Sequence, residues 1–456
     1  MRPFAFAPLL AAALALPQAA PWAAPLASER AAVHVLNRLA YGPRPGDIDR
    51  VRQMGVQAYM EEQLNPPPLP VALSQRLDKL ETLQMSTGEA LARFQEARQE
   101  KDGERRELVK QMASEAAEAR LLRAIESPRQ LEEVMVDFWY NHFNVFAGKG
   151  QDRALVASYE RDAIRPYVFG SFRRMLGATA HHPAMLFYLD NWVSKAGGLN
   201  ENYARELMEL HTLGVDGGYT QKDVTELARM LTGWTYAPRR GAQFVFDPRR
   251  HDNGAKTWLG KPVTARGVSE GEYALDVLAV HPSTARNISR ELAQYFVADQ
   301  PPPALVERMA QTWIASNGDI RSVLRTLFSS QEFMDQQYAG AKYKTPYQYV
   351  VSASRAAAMP MTEVKPLVGI LSRLGMPLYG CQTPDGYKNT EAAWLNPDGL
   401  SRRISYALSI SSGADAAAVQ EALGASVSKR TAAIVADSNE RLRAGMLLGS
   451  PDFMQR

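Results

Sequence analysis

Apolar residues recur every three to four positions over most of the chain, the period of helices that bury one face and wet the other. Short amphipathic helices fit residues 28 to 65, separated by Gly42-Pro43-Arg44-Pro45 and ended by Asn65-Pro66-Pro67-Pro68. Residues 70 to 126 are rich in Ala, Glu and Arg, and Asp102-Gly103 is their one expected interruption, which predicts a long exposed helical hairpin arm. Ser127-Pro128-Arg129-Gln130 reads as a capped start, with proline in the first turn and glutamine closing a capping box, for a helix reaching about Phe146. On a helical wheel Leu131, Val134, Phe138, His142 and Val145 share one face, so His142 points inward, whereas Glu133, Asp137 and Asn144 lie on another.

Further helices are expected at 153 to 167, 171 to 180, 183 to 191, 201 to 213 and from Thr220 to Trp234. The period then breaks. Phe244-Val245-Phe246 and Thr257-Trp258-Leu259 flank Asp252-Asn253-Gly254, which suggests one small β-hairpin insertion. From Pro282 the pattern is helical to the end, punctuated by Pro301-Pro302-Pro303, Asn317-Gly318 and a loop from Gly380 to Asn396. The expected fold class is mainly α: a multi-helix globular bundle with the hairpin arm at 70–126 and the β-hairpin insertion.

Composition narrows the function classes. The 456 residues, 46% of them hydrophobic, suffice for a large core. Fifty-two basic residues against 49 acidic ones give +3, and no basic stripe runs along any helix, so nucleic acid is not an expected partner. The pairs Arg239-Arg240 and Arg249-Arg250 flank a short loop and read as a solvated face. Arg2, the apolar run Phe4 to Leu16 and the Ala/Pro-rich residues after it resemble an export signal, so residues 1–27 are expected to be a signal peptide, 28–456 one helical domain, and the location periplasmic or secreted, with no transmembrane span after signal removal. Cys381 is the single cysteine, which excludes an intrachain disulfide; no histidine adjoins it to activate the thiol.

Candidate chemistry concentrates at Asn202 to Gly214. Glu206 and Glu209 fall about 60° apart on the wheel, with Asn202 between them, while Tyr203, Leu207 and Leu210 form the apolar side. The two carboxylates can act together, or Glu206 can pair with Arg205 or Arg229 in a network that only holds helices in register. His211 lies about 160° from Glu209, so one helix turn cannot bring both to one ligand. Neither His-Glu-x-x-His nor Glu-x-x-His occurs, which removes the zincin and ferritin-like patterns. A divalent zinc, iron or manganese site would have to draw on separated donors: Glu206, Glu209, His251, Asp252, His142 and His281. Glu226, Arg205 and Arg229 join Glu206 and Glu209 as candidate acid-base or anion-orienting groups. Each has a structural alternative: Glu226 and Arg229 sit at the edge of an apolar face where pairing is rewarded, Asp252 occupies a turn, and His281 precedes a helix cap. Thr220-Gln221-Lys222-Asp223 is a capping box. No Gly-x-Ser-x-Gly, Walker or dinucleotide pattern occurs.

Asn202 to Gly214, Gly218-Tyr219-Thr220, Asp223-Val224 with Glu226-Leu227-Ala228-Arg229, Leu231-Thr232-Gly233-Trp234, His251-Asp252 with Gly254 and Lys256, His281-Pro282 and Gly449-Ser450-Pro451-Asp452-Phe453 together resemble the bacterial domain-of-unknown-function 1800 family, with Leu36 to Gly42 and Asn141-His142-Phe143 as earlier landmarks. The resemblance implies an exported, mainly helical protein without a settled activity. It also implies a co-encoded partner, the sulfatase/phosphatase-like exported proteins of the domain-of-unknown-function 1501 family. The resemblance further implies an aromatic in many relatives where this chain has His211, which weakens that residue as an essential ligand. Two functions are therefore expected: a binding or scaffold partner whose 70–126 arm engages that co-encoded protein or the cell envelope, or a metal-dependent enzyme built on and around helix 201–213.

Overall fold

The computed structural model describes residues 28–99, 102–358 and 363–456; the expected signal peptide at 1–27 lies outside the described residues. The fold is mainly α, and its strands form two small antiparallel pairs. One hydrophobic cluster runs from Ala32 in the first helix to Met454 near the carboxyl end. Among the described residues, no helix is long and apolar enough to cross a membrane.

At the centre lies the helix Gln130–His142, in which every residue but Asn141 is buried. Its start is not the expected capping box. The Ser127 hydroxyl accepts the Arg129 amide, and Gln130 donates to the carbonyls of Ala124 and Ser127 while accepting the Tyr41 amide. Gln130 is too deeply buried to fold back on its own helix end, and it stitches two helices and the amino-terminal segment together instead.

The segment 70–126 also departs from a simple exposed hairpin. It contains Val71–Asp78, Glu81–Gln84, Thr87–Gln99 and the 25-residue helix Asp102–Glu126. A capping box between Ser86 and Glu89 starts the third of these, a Ser-x-x-Glu signal already present in the sequence. Glu107 and Lys110 are exposed, but from Ala116 onward the last helix enters the core through Ala116, Ala117, Leu121, Ala124 and Ile125. Its alanines permit the close approach; the charges that suggested a wetted arm conceal that role.

Among the described residues the β structure is two hairpins rather than one. Trp234–Ala237 pairs with Gln243–Phe246, and Thr257–Trp258 pairs with Lys261–Pro262. Leu259 and Gly260 form the second turn with φ of 48° and 73°, the positive pair that a two-residue hairpin turn requires. Two expected strands exist, but each pairs with a neighbour nearer in sequence, leaving 247–256 as the loop between the hairpins.

Candidate functional site

An ionic network occupies the interior beside Gln130–His142. Arg120 bonds Asp137 at 2.7 Å and Glu160 at 3.3 Å, and Arg165 bonds Glu133 at 2.7 Å and Glu160 at 2.8 Å. The Tyr379 hydroxyl donates to Glu160 at 2.8 Å, and the Arg120 guanidinium lies over the rings of Tyr140, Tyr347 and Tyr379. Glu160 opens a π-helical turn, Glu160–Ile164, at the end of Asp152–Tyr159. Burial pushes its carboxyl up, but Arg120 and Arg165 outweigh that and hold it at about 2. Each charge here bonds an opposite one, two arginines holding three carboxylates, and Asp137 also lines the neighbouring cleft.

Next to it opens a cleft of about 310 Å³. Its walls are the end of Gln130–His142, the turn after the helix Asn202–Glu209, the helix Pro282–Phe296 and the loop through Asp385 to Asn389. Asn141 clamps that loop, donating to the Tyr387 carbonyl at 2.9 Å and accepting the Tyr387 amide at 2.7 Å. Gly386, at φ +64°, passes so close that a Cβ would lie 2.3 Å from the Asn141 carbonyl oxygen, so only glycine fits. His142, facing inward as expected, bonds the Glu291 carboxylate through Nδ1 at 2.9 Å and the His211 carbonyl through Nε2 at 3.2 Å. Both ring nitrogens are thereby taken up, and neither offers a lone pair to a metal.

Glu209 lines this cleft, and Glu206, one helical turn before it, is close enough to feel the charges of Glu209 and Asp385. Among the described residues neither carboxylate has an ion pair: Arg205 pairs with Glu201 at 3.2 Å and bonds Gln221, and Arg229 pairs elsewhere. Burial raises the Glu206 carboxyl, and the charges of Glu209 and Asp385 raise it further against an opposing pull from Arg205. Lys388 pairs with Asp385 at 2.6 Å, and Arg290 donates to Asn287.

The other expected site residues engage neighbouring protein groups. Arg229 holds Glu226 at 2.9 Å and Asp252 at 2.8 Å, and with the Gly254 amide it keeps the Asp252 carboxyl down at about 2. The hypothetical anion-orienting arginine is therefore consumed by two carboxylates. His251 is buried; its Nδ1 donates to the Thr232 carbonyl at 2.9 Å, and its Nε2 faces Glu270, itself paired with Lys256 at 2.7 Å. His281 caps Pro282–Phe296 by accepting the Ser283 amide on Nδ1. His182 caps Pro183–Tyr188 in the same way, so His-Pro is used twice as a helix start. His211 is 1% exposed among Phe143, His142 and Tyr203, and burial drives its imidazole well below the usual range. Among the described residues, no three His, Cys, Asp or Glu side chains converge to hold a metal ion. The six expected donors divide among a carboxylate rim, a cleft imidazole, an arginine clamp, a buried ion pair and a helix cap.

Sequence reasoning missed Glu291, Asp385 and Asn141 as cleft residues. Asn141 lies within a landmark motif and Asp385 within the recognised Gly380–Asn396 loop; Glu291 had no local signal. Cys381 is buried, 3.8 Å from the Thr383 carbonyl.

Fold and site thus define a mainly helical protein with an arginine-bonded ionic core and, beside it, a cleft near which Glu206 and Glu209 have no ion pair among the described residues. The chain belongs to the family described as protein of unknown function DUF1800, whose model matches residues 34–455. No curated protein and no solved structure matches it.

Proposed function

We propose that this is an exported binding protein, periplasmic or secreted, whose cleft receives a basic group of its partner. The partner class is the one the family resemblance implies, a co-encoded sulfatase/phosphatase-like exported protein. One observation carries the reading: among the described residues Glu206 and Glu209 lack ion pairs, whereas Glu226, Asp252, Glu133, Asp137 and Glu160 each bond an arginine. Uncompensated carboxylates beside a cavity cost the fold self-repulsion and favour an incoming cation. The metal-dependent alternative has no comparable support, because among the described residues no three His, Cys, Asp or Glu side chains converge to hold a metal ion.

The test is the affinity of the purified pair. Glu206→Gln with Glu209→Gln should weaken partner binding about tenfold or more and flatten its salt dependence. Unchanged affinity, or no binding by the wild-type pair, overturns the reading. Export is checked separately by the amino-terminal mass of protein from the periplasmic fraction.

A further inference from the structure

The cleft beside Gln130–His142 is lined by charges of both signs, and most of them are engaged within the protein. Asp137 bonds Arg120, Glu291 bonds His142 and Asp385 bonds Lys388. Glu209 and Arg290 line the same cleft, and among the described residues neither has an ion pair, with the other or with a third group. Opposite charges that face one cavity without meeting are complementary to a ligand that carries both signs.

Arg290 is held in place rather than left to wander. Asn287, Arg290, Glu291 and Gln294 share one face of the helix Pro282–Phe296, and all of them line the cleft. Asn287 accepts from the Arg290 guanidinium at 3.1 Å through Oδ1, while its Nδ2 donates at 3.1 Å to the carbonyl of Thr212, in the turn that follows Glu209. Gly214, at φ +83°, brings that turn so near that a Cβ would lie 3.1 Å from the Asn287 side chain. The element that carries the carboxylate and the one that carries the guanidinium are therefore locked together.

Size and wall chemistry narrow the ligand. A volume of about 310 Å³ sits at the lower limit of ligand pockets, about 300 Å³, and admits one residue rather than a folded surface. Phe138, Leu210, Met376 and Val215, the last 71% exposed, give the lining an apolar part on which the methylene stem of a long side chain can lie. Within a single residue, a cation, such a stem and a carboxylate occur together where lysine or arginine ends a chain. An amino-terminal Glu carries the same two signs without the long stem.

We infer that the cleft binds a carboxyl-terminal lysine or arginine, its side-chain cation held by Glu209 and its α-carboxylate by Arg290. The inference rests on the reading of this cleft as the seat of a partner's basic group, and adds where on the partner that group lies.

The test titrates the full chain calorimetrically with N-acetyl-Gly-Gly-Lys, which should bind saturably at about one site per chain. Its carboxamide, and the acid in which norleucine replaces lysine, should each bind about tenfold more weakly, because each lacks one of the two charges. In Arg290→Gln the lysine acid and amide should bind alike; in Glu209→Gln the lysine and norleucine acids should. Wild type that binds acid and amide equally, or binds neither, overturns the inference, and that comparison needs no variant to fold. Tighter binding of Glu-Gly-Gly amide overturns it as well, in favour of an amino terminus. The two readings fail separately. Equal binding of acid and amide, with partner affinity still falling in Glu206→Gln with Glu209→Gln, removes the chain end and keeps the partner; acid preferred over amide, with partner affinity unchanged, keeps the peptide site and removes the partner.

Discussion

The interior beside Gln130–His142 and the rim of the adjoining cleft both gather carboxylates within the same few helices, yet they treat them oppositely. In the interior Glu133, Asp137 and Glu160 share Arg120 and Arg165, with tyrosine rings and a hydroxyl completing the shell. At the rim Glu206 and Glu209 face each other's field, and the Arg205 guanidinium acts on Glu206 by its charge without an ion pair. A fully paired buried charge is costly to disturb and has nothing left to offer a ligand. An unpaired half-buried one adds little to stability and is free to bind. Number of acids is therefore a poor guide to a site; what decides is whether an arginine has already claimed them.

The sharpest way to break this contrast is to remove the arginine. Arg120→Met leaves Asp137 and half of Glu160 without their cation, and stability should fall by about 3–5 kcal/mol, read from urea denaturation. Loss of less than about 1 kcal/mol would mean that water reaches the network and the distinction between the regions is one of degree.

Acid separates them next. Glu160 is held at about 2 against an ordinary 4.5, so its stabilisation is complete above 4.5 and is lost as pH falls towards 2, about 3 kcal/mol over that window. His34 and His182 are lowered mainly by burial from 6.5 to about 4. Their neutral forms are the ones the fold accepts, so each contributes stability above 6.5 that erodes as pH falls to 4, again about 3 kcal/mol. Acid unfolding should show an upper limb between 6.5 and 4 and a lower one beneath it. His182→Gln should flatten the upper limb alone; an unaltered profile would refute the burial argument for that ring.

Glu291→Gln is a smaller perturbation. It weakens one bond to His142 at the cleft wall, where water can enter, and should cost about 1 kcal/mol. A loss as large as that of Arg120→Met would place this pair with the interior network.

These expectations also show how far the sequence was readable. Helical periodicity located most helices, and residue type marked the Thr220/Asp223 capping box and the break at Asn317-Gly318, because each rests on local geometry. The inward face of His142 followed from its wheel. The ionic core did not: Arg120 and Asp137 look like solvent-facing charges until helices remote in sequence close over them. Strand pairing failed at 244–259 because alternation identifies a strand without its partner. The metal hypothesis joined residues by chemical type, and only coordinates reveal that Asp252 belongs to Arg229, His281 to the Ser283 amide and His142 to Glu291. The pair Glu206/Glu209 stayed legible because both lie on one helix.

The smallest effect in stability is the most direct probe of the rim. Burial raises the Glu206 carboxyl first, and Glu209 adds to that rise. Glu209→Gln removes the added repulsion but leaves the burial, so the Glu206 pKa, followed by carbon NMR of labelled glutamate, should move down without losing all of its elevation. Overall stability should change by no more than about 0.5 kcal/mol, since no ion pair is broken. Arg205→Gln should move the same carboxyl up, because Arg205 opposes the rise. If Glu206 titrates identically in wild type and Glu209→Gln, the two carboxylates do not share a field. A cation would then meet two independent weak charges at the cleft instead of one joint site, and the contrast with the interior would rest on burial alone.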